Sequence, residues 1–69
     1  MTNECRNYLN MTMAIIAQAR WMKRGSTVYK KSMRTLVTAK VRARRILDEA
    51  ECAMVLTEIN KALEILREQ

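Results

Sequence analysis

The chain has 69 residues, a formal net charge of +6, 49% hydrophobic residues, one glycine, and no proline, phenylalanine or histidine. A chain this short makes one domain, residues 1–69, and buries only roughly 60% of its unfolded surface, so it needs disulfides, a metal or a second copy for support. Cys5 and Cys52 are too few and too far apart for a disulfide framework or a four-ligand zinc site. Without histidine, general acid–base catalysis lacks its usual side chain, and a single glycine cannot build a phosphate-cradling loop. The composition therefore predicts a non-enzymatic protein with no cofactor, no metal and no small-molecule substrate, supported by oligomerisation.

Two cysteines and six methionines fit a reducing, cytoplasmic setting. The first apolar stretch, Met11 to Ala19, is interrupted by Thr12 and Gln18 and is followed by no cleavage pattern of a signal peptide. The longest unbroken apolar run, Met13 to Ala17, falls far short of the ~20 residues that span a bilayer. Asn10-Met11-Thr12 matches a glycosylation acceptor only by letter.

The pattern predicts a first helix from about Glu4 to Arg24. Thr2 or Asn3 can cap it, and Glu4 favours its N-terminal dipole. Cys5, Tyr8, Leu9, Thr12, Ile15, Ile16, Ala19 and Met22 recur at helical spacing. Lys23 and Arg24 fill the last turn, and Gly25 is placed for a left-handed cap. Residues 26–31 are open to two readings. Ser26 can cap a second helix directly, or Thr27-Val28-Tyr29 can form a short strand that would need the same segment of a second copy as partner.

From Ser32 to Glu68 no glycine or proline breaks the chain, and one long helix, bent or straight, is the expected form. Asp48-Glu49-Ala50-Glu51 has capping-box spacing, so a break there, giving a three-helix monomer, is the alternative. A long helix would run beyond about 50 Å and outreach the first helix, leaving an apolar stripe for another chain to cover. The expected fold is thus all-α: a helix–turn–long helix protomer in an intertwined helical-bundle homodimer.

Charge is unevenly placed. Residues 1–26 carry +3, residues 27–47 carry +7 and residues 48–69 carry −4. The middle segment has seven cations (Lys30, Lys31, Arg34, Lys40, Arg42, Arg44, Arg45) and no acid. Wound as a helix, it gathers Val28, Tyr29, Met33, Leu36, Ala39, Ala43, Ile46 and Leu47 on one arc and Lys30, Lys31, Arg34, Arg42 and Arg45 on the other. Lys40, Arg44, Val37 and Val41 lie beside the apolar arc. The basic arc suits nucleic-acid phosphates, with Thr27, Thr35 and Thr38 as further backbone contacts, or an acidic surface, either a protein partner or an anionic membrane. It is equally compatible with a solvated face, or with neutralisation by the acidic C-terminal third of a neighbouring copy. A helix-turn-helix is disfavoured on packing. Such a motif needs a small residue about four before the turn glycine and an apolar one about six after it, where this chain has Trp21 and Lys31.

Cys52, Leu56, Ile59, Leu63 and Leu66 alternate at spacings of four and three, an a/d seam that Val55, Ala62 and Ile65 widen. With Leu9, Ile16, Met33 and Leu36, these five form the expected dimer interface. Met11, Met13, Met22, Met33 and Met54 read first as core filling and second as an adaptable groove. Trp21 and Tyr29 bracket Gly25 among Arg20, Lys23, Arg24 and Lys30 and are expected to cover the open end of the bundle, with stacking on a base or anchoring an interface as the alternative. Cys5 is expected to be a small buried hydrophobe, although a helix N-terminus and Arg6 would lower its thiol pKa.

The leading functional expectation is a homodimeric regulatory protein that modulates a partner protein. Close behind it stands a basic nucleic-acid-binding regulator using Lys30, Lys31, Arg34, Arg42 and Arg45. Short basic proteins without catalytic residues are frequent among early viral and mobile-element products, an association from size alone.

Overall fold

A computed structural model describes all residues, 1–69, as three helices and no strand. Helix α1 spans Asn3–Gln18, α2 spans Thr27–Ile46 and α3 spans Glu49–Arg67, in a body of 34 × 18 × 17 Å. No helix is long and apolar enough to cross a membrane.

Each helix starts at a side-chain cap. Thr2 accepts from the Cys5 amide at 3.2 Å, Ser26 from the Tyr29 amide at 3.2 Å, and Asp48 from the Glu51 amide at 2.8 Å. Such caps contribute about 1 kcal/mol each. Asp48 explains why the expected long helix does not form. Its carboxylate takes the Glu51 amide that a continuous helix would give to Leu47, and Leu47 and Asp48 become extended, at ψ 150° and 171°. The three-helix alternative is the one adopted. The capping box is only half made, because the Glu51 carboxylate turns to α1. It accepts from the Thr2 amide at 2.8 Å and from the Thr2 hydroxyl at 3.3 Å.

The first helix stops earlier than the pattern predicts. After Gln18 it tightens into a single 3₁₀ turn, Ala19–Trp21, and Met22 is extended at ψ 129°. This step keeps both Ala19 and Met22 in the core. Gly25 does hold a positive φ, 83°, but in a separate turn closed by the Ser26 amide and the Lys23 carbonyl at 2.9 Å. Positive φ at the third position alone makes this a type II turn, a geometry that selects glycine. Thr27–Tyr29 are helical, so the strand reading and its pairing with a second copy fall away.

Tyr29, near the start of α2, donates its hydroxyl to the Leu66 carbonyl near the end of α3 at 3.1 Å, so the two helices run antiparallel. α1 and α3 run the same way, joined at their starts through Thr2 and Glu51. The core contains Leu36, Val55, Ile59, Leu63, Leu66, Met22, Cys5 and four alanines. α2 contributes mainly small residues to it (Ser32, Ala39, Ala43), which lets its backbone approach the larger aliphatic side chains of α3. Thr12 is fully buried, and its hydroxyl is satisfied by the Tyr8 carbonyl at 2.7 Å.

The expected dimer interface divides on this frame. Leu36, Ile59, Leu63 and Leu66 are buried in the chain's own bundle, while Leu9, Ile16, Met33, Cys52 and Leu56 are half-buried. A long helix with an uncovered stripe was the premise for intertwining, and the break at Asp48 removes it. The seam folds back on α1 and α2 instead. Trp21 departs from expectation as well: it is 80% exposed and covers nothing, whereas Tyr29 does close that end.

Candidate functional site

All seven cations of the middle segment lie on α2 and none is buried. Lys30, Lys31, Arg34, Arg42, Arg44 and Arg45 are exposed, and Lys40 is half-buried. None of the seven takes part in any side-chain hydrogen bond of the structure. No side-chain hydrogen bond joins an acid of α3 to a cation of α2. Arg44 and Arg45 close the last turn of α2, where positive charge is favoured by the helix dipole.

The fold arranges part of this face around a cleft. α1 and α2 both pack on α3 and touch each other less, so a furrow runs between them. Its upper part, about 280 Å³, is lined by Tyr8 and Met11 of α1 and by Arg34, Thr35, Thr38, Ala39 and Arg42 of α2. A second hollow of about 290 Å³ continues it, sharing Tyr8 and Arg42 and adding Arg45 and Ile46. Three of the five predicted basic residues, Arg34, Arg42 and Arg45, thus surround one tyrosine ring. Lys30 and Lys31 lie one turn earlier on the helix, outside the furrow but on the same outer side.

Chemically, the furrow offers three guanidinium groups for phosphate oxygens, two hydroxyls that can donate beside them, and one half-buried aromatic ring. Arginine is the better residue here than lysine, because its planar fork matches a phosphate at two points. Tyr8 was the residue that sequence reasoning missed, having been assigned only to the apolar stripe of α1. The available signal was its place at the edge of that stripe, four residues before Thr12 and next to Met11.

Cys5 is fully buried, and burial, followed by the nearby negative charge of Glu51, pushes its thiol above the ordinary value of 9.0. Arg6, expected to lower it, has no part in the shift; the one lowering influence is the chain's N-terminal ammonium, and it is outweighed. Both cysteines are free thiols. No group of three cysteine or carboxylate side chains converges as a metal site would require.

Trp21 stands exposed at the far end of the molecule, beside a hollow of about 320 Å³ formed with Gln18, Met22, Lys23, Ser26 and Val28. It shares that end with Arg24, whose guanidinium donates to the Gln69 carbonyl at 3.3 Å. On the opposite side from the furrow, Leu9, Met13, Ile16 and Ala17 of α1 face Met54 of α3 across an apolar groove of about 510 Å³. Comparison with protein-family models, curated proteins and solved structures gives no match for this chain.

Proposed function

We propose that this is a small non-catalytic binding protein that grips nucleic acid through the outer face of α2, and that its working unit is a homodimer. The observation that carries the first part is the state of the basic helix. Seven cations on twenty residues have no acid among them and no partner within the chain. That much like charge on one exposed face raises the local positive potential and attracts polyanions. Arg34, Arg42 and Arg45 supply phosphate contacts, and Tyr8 offers a ring on which a base can stack. Lys30 and Lys31 extend the positive track along the helix. α2 carries no asparagine, glutamine or acid, and the arginines and lysines that could read guanine are the same ones that serve phosphates, so the binding expected is governed by phosphates and weakly selective.

The dimer is supported by the small core of the single chain. Eleven buried apolar residues, four of them alanine, are little for a domain of 69 residues. A second reading, regulation of a partner protein, is favoured by Trp21, which is 80% exposed beside an open hollow and is the kind of aromatic anchor that interfaces use.

The test is fluorescence anisotropy of labelled duplex and single-stranded DNA and RNA, titrated with protein across a salt series. Log affinity is expected to fall linearly with log salt, with a slope of about −0.7 to −0.9 per phosphate contact and three to five contacts in all. Arg34→Glu with Arg42→Glu is expected to remove binding while leaving the circular dichroism spectrum unchanged. Wild-type binding no tighter than that of a generic polycation, or without salt dependence, sinks the nucleic-acid reading and leaves the partner-protein reading.

A further inference from the structure

The groove between α1 and α3 is chemically the reverse of the α2 face. Leu9, Met13, Ile16 and Ala17 lie at positions i, i+4, i+7 and i+8 of α1, and Met54 faces them from α3. Met13 is 62% and Met54 42% exposed, a large amount of flexible apolar surface to leave in water. The groove has only two charged residues, Glu58 and Lys61, one of each sign and three positions apart on α3.

That pairing is what a two-fold axis needs. We infer that this groove docks a second copy of the chain in antiparallel fashion, about an axis level with the midpoint between Glu58 and Lys61. Rotation about such an axis exchanges the heights of the two residues, so Glu58 of one copy meets Lys61 of the other, twice per dimer. Thr2 is hydrogen-bonded to Glu51, and α1 and α3 run the same way, so Met13 lies near the level of residues 58–61. The axis therefore also brings Met13 of the two copies together, and methionines repack readily against one another.

The size of the face agrees. The chain exposes 4949 Å², whereas a compact monomer of 8.1 kDa is expected to expose about 4,500 Å². A standard interface removes about 800 Å² from each partner, an area that one side of a body 34 Å long and 18 Å wide can supply. The inference rests on the homodimer reading above and gives it a face, different from the Cys52–Leu66 seam. α2 takes no part in the groove, so the dimer carries two free basic faces, one on each outer flank.

The test is sedimentation equilibrium of the full chain at concentrations up to about 100 µM, a range that captures micromolar association. Wild type is expected to be dimeric. Glu58→Lys and Lys61→Glu each place like charges together twice per dimer, so each alone is expected to weaken association at least about tenfold. An equimolar mixture of the two variants restores opposite charge at both contacts and is expected to dimerise again. Ala17→Arg, at an exposed helical position, should give a folded monomer and provides the same readout should a charge variant fail to fold. A wild-type monomer at about 100 µM overturns both the homodimer reading and this inference. A wild-type dimer that all three substitutions leave intact overturns only the inference and moves the interface elsewhere. Nucleic-acid binding by the Ala17→Arg monomer should persist with a reduced apparent affinity, since the α2 face is untouched.

Discussion

α2 and α3 are nearly equal in length, twenty and nineteen residues, and lie antiparallel, yet their residues divide along different lines. α3 buries Val55, Ile59, Ala62, Leu63 and Leu66, leaves Glu49 and Glu64 exposed and holds Glu51 and Glu58 half-buried. α2 buries one large residue, Leu36, beside serine and alanines, and its outer face is crowded with cations. Val37 and Val41 on that face are each 51% exposed, which places apolar patches among the charges. The contrast separates two roles. α3 is the helix around which the molecule folds, and α2 is held against it by close backbone approach with its outer side exposed to solvent. A substitution that kills stability should therefore map to α3, and one that kills binding should map to α2.

The largest effect expected from this division is on α3. Ile59 is fully buried at the centre of the seam, so Ile59→Ala should cost about 2–5 kcal/mol. A small domain has little more than about 5 kcal/mol in total, so that variant should be largely unfolded at 37 °C by circular dichroism. The counterpart on α2, Val37→Ala, should change stability by less than about 0.5 kcal/mol in urea titrations. A loss of more than about 1 kcal/mol at Val37 would break the comparison, since it would mean that the outer face of α2 is buried in an assembly.

How much of this division could be read from the sequence differs from element to element. The helical class, the caps at Thr2, Ser26 and Asp48, and the basic arc of α2 follow from local rules that need no knowledge of neighbours. The break at Asp48 was visible as a capping box, but an absence of glycine and proline argued against it. What decides it is the competition of one aspartate for one amide, together with Glu51 finding a better partner in Thr2. The early end of α1 depends on burying Ala19 and Met22 at the same corner, a tertiary gain that no periodicity reports. The Tyr8 furrow exists only because α1 and α2 both lean on α3, so its residues come from two helices whose relative placement the sequence does not encode locally. Trp21 was misjudged because size and hydrophobicity predict burial only on average.

An intermediate effect is expected at the corner that sets how α2 lies beside α1. Gly25 has φ +83°, and a Cβ there would meet no atom within 4 Å, so any cost of Gly25→Ala comes from the backbone conformation alone. That cost is about 1–2 kcal/mol. If the turn adjusts rather than breaks, the furrow should change shape while the α1–α3 groove does not. The variant is then expected to lose nucleic-acid affinity and keep its oligomeric state, measured by anisotropy and sedimentation on one sample. Equal loss of both would mean that the two faces are not independent.

The smallest effect concerns Cys5, which lies where α1 meets the first turn of α3 and so belongs to the stabilising side of the comparison. Burial and the charge of Glu51 raise its thiol above the ordinary value of 9.0. A raised folded-state value means that the folded chain favours the neutral thiol. Its contribution to stability is complete below pH 9.0 and is lost as pH rises through the raised value. Denaturation midpoints taken from about pH 8 to about pH 10.5 should therefore fall more steeply for the wild type than for Cys5→Ala, because tyrosine and lysine titration is common to both and cancels. Alkylation of the folded protein should modify half-buried Cys52 before Cys5, and the order should vanish in denaturant. If Cys5 reacted first, the N-terminal turn of α1 would have to open readily. The Thr2–Glu51 hydrogen bonds would then be too weak to fix the level of Met13 against Glu58 and Lys61, and the two-fold arrangement of the groove would lose its register.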